Sequence, residues 1–222
     1  MRLHFTLSPN TETVPYDYQH QLTGRFHSWL GDNNVHNSIS LYSLSWLHGG
    51  KREGKGLIFP EGATWSISAH DPELLHKICL SAAKDAEVCY GMNVIEIKIL
   101  PPPRMSNESH CFRVISPVLA RGKEIAGKVR HYLFSDKEAD EILTQTLHHK
   151  LDKAGLGNLK ADTQVRFDRS YPNAHTKLVT INGIANRASI CPVIVDGPPE
   201  AMEFAWNVGI GHLTGSGFGA LL

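Results

Sequence analysis

What this sequence does without narrows its reading at once. It carries no net charge, since 22 Lys and Arg balance 22 Asp and Glu. Bulk charge therefore advertises no polyanionic partner, and only a local basic stripe would serve one. Cysteine is sparse: Cys79, Cys89, Cys111 and Cys191 show no C-x-x-C spacing. That pattern supports neither a zinc site nor a disulfide framework, and the four thiols are expected as small buried hydrophobes. No apolar run approaches the ~20 residues of a bilayer span. The opening "MRLHFTLSPNTET" has no continuous apolar core of a leader peptide, so it reads as a strand, and the cytoplasm is the expected location.

Present instead is an ordinary globular composition, 41% hydrophobic and 20% charged, with a chain long enough for one large domain or two small ones. "RLHFTLSP" alternates as a half-buried strand. A helix is expected from about Tyr16 to Leu30, stopped by Gly31. A strand follows over Ser38–Leu47, then two short strands around Pro60, Glu61 and Gly62. "DPELLHKICLSAAKDAE" opens with Asp71 as N-cap and Pro72 at the first helical position, and "NVIEIKIL" is a strand. The order is βαββαβ, the ferredoxin-like pattern.

The remainder repeats it loosely. It starts with a strand in "CFRVISPVLA" and a hairpin through "RGKEIAG". A helix capped by Ser135 and ended by Gly155 and Gly157 follows, then strands in "TQVRFDR" and "HTKLVTINGIANRASICPVIV", and a helix in "PPEAMEFAWNVGIG". The expected class is α+β, two tandem ferredoxin-like folds, over 1–102 and 103–222.

Charge is uneven along the chain. From Ile97 to Arg130 there are seven Lys or Arg against two Asp or Glu, and from Lys150 to Arg187 seven against three. The second half therefore permits a basic stripe. Near its end stands "GIGHLTGSGFGALL", five glycines within eleven residues. Glycines serve where φ is positive or another backbone comes close, and such loops can cradle phosphate oxygens. The segment lacks the Lys-Ser/Thr of a P-loop and follows a helix instead of opening one, so it is not a nucleotide fingerprint.

That segment, Gly209 to Gly219 with its closing Gly-Phe-Gly, resembles the signature loop of the CRISPR repeat-RNA processing endoribonucleases of the RAMP superfamily. "VPYDYQHQLTGRFHSWL" is similar to the first helix of that family, "HNSISLYSLSW" to its His-containing segment and following strand, and "ISPVLAR" to its mid-chain strand. The resemblance spans most of the chain in order. It implies tandem ferredoxin-like folds of RAMP type and an endoribonuclease that cuts precursor CRISPR RNA within repeats, with neither metal nor cofactor. The alternative is a non-catalytic RAMP-fold subunit that only binds crRNA in an effector complex. Partners implied are the repeat RNA, effector-complex subunits and a second copy of the chain. In the family the strand after Gly-Phe-Gly usually continues, so either a very short last strand or a trimmed chain is expected here.

Thirteen histidines make position decisive. At about 100° per residue, Tyr18, Leu22, Phe26, Trp29 and Leu30 share one arc of the first helix, and Tyr16, His20, Thr23 and His27 form a polar stripe beside it. A histidine at such an edge sits where sheet meets solvent. His36 lies in the loop that follows. Histidine suits both proton transfers of RNA cleavage because its pKa lies near neutrality. The resemblance matches His27 to a first-helix catalytic position and His36 to the histidine before the strand, so these two are the expected catalytic pair, with acid and base unassigned. The family often has a Lys soon after that histidine, and "NSISLYS" has none. Ser38 or Ser40 as donors and Lys51 or Arg52 as cations are the replacements on offer. Further RNA contacts are expected from Arg121, Lys123, Lys128 and Arg130, and from Gly209, Gly211, His212, Gly215, Gly217 and Gly219. The doublet His148–His149 reads as structural.

Overall fold

A computed structural model describes residues 1–31, 39–105, 108–125, 128–181 and 183–222, without the side chains of 124, 125 and 128. Alternation in β1 (Arg2–Leu7) buries Leu3, Phe5 and Leu7 on one face. After β2 (Val14–Pro15), helix α1 (Gln19–Leu30) buries Leu22, Phe26, Trp29 and Leu30, and Gly31 stops it at a φ of 61°. The strand expected over Ser38–Leu47 shrinks to β3 (Tyr42–Leu44). Beyond it the pairing is irregular: Ser45 N–H still donates to the Ser66 carbonyl at 2.9 Å and His48 bridges Thr64, but the Leu47 amide donates to the Tyr18 hydroxyl at 3.0 Å and the Trp46 indole to the Gly217 carbonyl at 2.7 Å. A small hairpin, β4 (Lys51–Glu53) and β5 (Gly56–Ile58), precedes β6 (Ala63–Ala69). Helix α2 (Pro72–Lys84) starts as expected, with the Asp71 carboxylate accepting from the Glu73 amide at 2.9 Å. β7 (Glu87–Cys89) and β8 (Met92–Leu100) complete an antiparallel sheet ordered β3-β6-β1-β8-β7. Its core is aromatic: Phe5 lies 5.6 Å from both Trp29 and Trp65.

The second half starts with β9 (Ser109–Phe112), then the hairpin β10 (Ala120–Ile125) and β11 (Lys128–Tyr132). Helix α3 (Glu138–Lys153) is not capped by Ser135; Lys137 precedes it, and the Asp136 carboxylate accepts instead from the Leu133 amide at 2.8 Å. Gly155 turns the chain out of the helix at a φ of 76°, whereas Gly157 begins a 3-10 turn, Gly157–Asp162, instead of ending α3. β12 (Gln164–Phe167), the hairpin β13 (His175–Ile181) and β14 (Ile184–Ile190), and β15 (Val193–Asp196) follow, and then α4 (Pro199–Val208). The sheet order β12-β15-β9 repeats that of the first half. Its fourth strand is reduced to a bridge of Val114 with Leu221, flanked by Ile115 N–H to Ala220 O and Leu222 N–H to Arg113 O, both 2.8 Å. Two tandem ferredoxin-like units result.

Of the four free cysteines, Cys89 and Cys191 are buried and Cys79 is half-buried. Cys111 is exposed, contrary to expectation, because its position on β9 alternates with the buried Phe112. Among the described residues no helix is long and apolar enough to cross a membrane.

The two units are tied by α4, which packs on β3 and β6 of the first sheet. Buried Arg2 spans the junction. Its Nε donates to Ser68 Oγ at 2.7 Å, its Nη2 to the Leu221 carbonyl at 2.5 Å, and its guanidinium lies 3.9 Å over Trp206.

Candidate active site

At the C-terminal end of α1, Phe26 stacks on Tyr42 of β3 with centroids 4.5 Å apart, and the half-buried His27 ring stands edge-on to Phe26 at 5.1 Å. Ser40 hydrogen-bonds the Tyr42 hydroxyl, and burial pushes that phenol above its ordinary pKa. Against this group lies the glycine segment. Gly215 comes so close that a Cβ there would stand 2.6 Å from Ser40 Oγ and 2.8 Å from the Tyr42 hydroxyl. Thr214 Oγ1 donates to the Tyr42 carbonyl at 2.9 Å. Behind it, the fully buried Lys150 ammonium donates to Thr214 Oγ1 and to the carbonyls of Val208 and Gly209, each at 3.0 Å. The segment therefore clasps the chain that leads from the His36 loop into β3.

Gly209, Gly211, Gly215, Gly217 and Gly219 are all buried. The reason is close backbone packing. Gly219 sits at a φ of 62°, and a Cβ there would fall onto the Ile210 carbonyl. Its amide donates to the Pro117 carbonyl at 2.8 Å, and its own carbonyl accepts from Ile210 N–H at 2.9 Å. The resemblance implies contact with RNA or bracing of a cleft for this segment; the glycines themselves serve close packing of backbone on backbone. Half-buried His212 and Ser216 and exposed Leu213 form its outer surface.

The other expected site residues divide between two grooves and a remainder. One groove, about 350 Å³, is lined by Ile39, Arg121, Lys123, Gln145, His149 and His212 among others. A second, about 830 Å³, runs between the β4–β5 hairpin, the start of α1 and the β13–β14 hairpin. In it Arg52 lies 5.8 Å over Tyr16 and Lys177 Nζ 4.7 Å over Trp46. Burial, then Arg52, lowers the Lys177 pKa. Lys51 is exposed beside Glu61 at 4.0 Å. The exposed Arg130 lies 4.4 Å over Tyr132. Lys128 belongs to β11, but its side chain is not described; His36 and Ser38 lie outside the described residues.

Three groove residues went unnoticed in the sequence. Lys177 and Trp46 stand far apart in the chain with nothing in their neighbours to link them. His149 stands beside His148 in a doublet that reads as structural. His148 does have a structural bond, Nε2 to the Thr163 carbonyl at 2.7 Å, while His149 is exposed in the first groove. Adjacent helical positions pointing about 100° apart give the two rings different surroundings.

Residues 100–221, from the end of β8 through the glycine segment, match the family model for CRISPR associated protein Cas6, C-terminal. The chain belongs to the Cas6 family. Solved structures share the whole fold with this Cas6 chain. The product of a Cas6-related gene from Pyrococcus furiosus is 19% identical with a TM-score of 0.85, covering 100% of this chain and 97% of that one. A CRISPR associated protein Cas6 is 22% identical with a TM-score of 0.82, covering 100% and 98%. An RAMP protein binding different RNA substrates is 18% identical with a TM-score of 0.84, covering 100% and 98%. No curated protein matches.

Proposed function

We propose that this Cas6-family chain is an endoribonuclease that cleaves precursor CRISPR RNA within its repeats, with residues 1–102 and 103–222 as the two units that close on the RNA. In this reading the nucleotide 5′ to the cut attacks with its own 2′-OH. A base takes the 2′ proton as the 2′-O–P bond forms. An acid protonates the 5′ oxygen as the P–O5′ bond breaks, leaving a 2′,3′-cyclic phosphate and a 5′-OH. His27 and His36 are the proposed pair, each transfer contributing about 10²–10⁴-fold. No metal is required for either proton transfer. Ser38, Ser40, Lys51, Arg52, Lys128 and Arg130 are proposed to hold the strand through phosphate and 2′-OH contacts, and the glycine segment to brace the site.

The observation that carries this reading is the clasp of Thr214 and Gly215 on Ser40 and Tyr42. It joins the glycine segment to Ser40 and Tyr42, which follow His36 in the chain. Family membership and the RNA-binding of a structural relative support an RNA substrate.

The test uses repeat RNA in EDTA, with a second RNA carrying a 2′-deoxy at the nucleotide upstream of the cut. Cleavage of the first only is expected, falling about 10²-fold or more in His27→Ala and in His36→Ala. Binding of both RNAs without cleavage would make the chain a crRNA-binding subunit. Unchanged cutting by the double variant would assign the chemistry to other residues.

A further inference from the structure

The stretch from Gly31 to Gly50 contains no Lys and no Arg. Cleavage by 2′-OH attack builds negative charge on the non-bridging phosphate oxygens, and preorganised donors aimed at them are usually a large part of catalysis. If the cut is made beside this stretch, the charge has to come from elsewhere in the fold.

The groove beside the clasp supplies it. Ile39, three residues after His36, forms one side; Arg121 and Lys123 of β10 and His149 of α3 form the others, with His212 of the glycine segment between them. No Asp or Glu lines it. Among the described residues neither Arg121 nor Lys123 has an ion pair, whereas Arg25, Lys160, Arg166 and Arg169 are each committed to a carboxylate. Two cations held in a groove without counter-ions are a seat for an anion.

His212 adds a directed donor. The Arg121 amide donates to His212 Nδ1 at 3.3 Å. A ring nitrogen that accepts carries no proton, so the neutral ring holds its hydrogen on Nε2. A second proton, on Nδ1, would face the Arg121 N–H. Burial first lowers the pKa of this ring, a hydrogen bond to the Leu119 backbone opposes that, and the charges of Arg121 and Lys150 lower it further. With Nδ1 accepting from Arg121, the ring keeps an N–H on Nε2, in a segment whose backbone cannot yield.

We infer that this groove is the seat of the scissile phosphate, with Arg121 and Lys123 replacing the cation missing after His36 and the His212 Nε2–H donating to a non-bridging oxygen. The inference rests on the endoribonuclease reading for its location but makes a separate claim, that the groove binds an RNA phosphate.

Two measurements test it. The first compares binding of the repeat fragment upstream of the cut with a 3′-phosphate or a 3′-OH end. The protein is expected to prefer the phosphate by about 10-fold or more, and Arg121→Ala and Lys123→Ala to abolish the preference; Lys84→Ala on α2 keeps it. Equal binding of the two ends by the unaltered protein overturns the inference, whether or not it cuts RNA. A preference lost in the variants without any cleavage leaves the phosphate seat standing and removes the endoribonuclease reading. The second is single-turnover cleavage at saturating RNA, where His212→Ala and Lys123→Ala are expected to slow the reaction by about 10²–10³-fold. A sulfur at one non-bridging oxygen slows the unaltered protein and adds nothing further in His212→Ala. His212→Gln, which places an N–H near the Nε2 position, recovers part of the rate, and His212→Asn does not. Variants that cleave at the full rate once saturated overturn the inference.

Discussion

Two glycines of one segment fail differently when substituted. Gly219 has a positive φ, and its missing side chain makes room for the Ile210 carbonyl. Backbone cannot rotate aside as a side chain does. Gly219→Ala is expected to cost more than about 3 kcal/mol, read as a lower urea midpoint with the slope unchanged. Gly215 has no such strain, and its neighbours are the Ser40 hydroxyl and the Tyr42 ring. Gly215→Ala is expected to fold but to push the Ser40–Tyr42 chain outward. A displacement near 1 Å at that point slows cleavage by about 10²-fold, measured at saturating RNA with Tm as the control.

At the level of elements, one amine holds three pieces together. Lys150 projects from α3 to the last carbonyls of α4, Val208 and Gly209, and to Thr214 of the glycine turn. A cation suits a helix C-terminus, yet complete burial lowers its pKa from 10.5 to about 7. Between the folded pKa near 7 and the unfolded 10.5, the unfolded chain binds more protons, so this group makes stability rise with pH. Its burial penalty is fully present below pH 7 and fades above it. Lys150→Met is expected to destabilise by about 1–3 kcal/mol, because three acceptors lose their donor. The gap to the unaltered protein widens between pH 7 and 8.5 in denaturant titrations; a constant gap would mean that Lys150 stays charged throughout.

For the molecule as a whole, the junction of the two units decides whether the site exists, since α1 and β3 come from one and the glycine segment from the other. Arg2 is one polar tie across it, and the N-terminal ammonium adds a bond to Asn207 Oδ1 at 2.6 Å. His70 meets Phe204 of α4 edge-on at 5.0 Å. Burial lowers the Arg2 pKa to about 10, so it stays charged at neutral pH. Arg2→Lys keeps the charge but loses the planar fork that reaches Ser68 and Leu221 while lying on Trp206. A loss of about 1–3 kcal/mol is expected, seen as a lower Tm.

Periodicity alone determined the element order. Leu3, Phe5 and Leu7 alternate, the α1 apolar arc repeats on one side, and Asp71–Pro72 and Gly31 punctuate helices, all through forces between near neighbours in the chain. The βαββαβ order and the class of fold follow from these. Where a partner lay far along the chain, the reading was incomplete. After β3 the pairing turns irregular where Tyr18 and Gly217 take Leu47 and Trp46, and Ser135 leaves its helix uncapped. The glycine segment, legible as a place of close approach, turned out to be buried because Ile210, Pro117 and Tyr42 surround it. The gathering of Ile39, Arg121, Lys123, His149 and His212 around one groove was decided only by tertiary structure. Charge and hydrogen bonding act across space, and nothing in a residue's immediate sequence neighbours records which distant groups the fold will set opposite it.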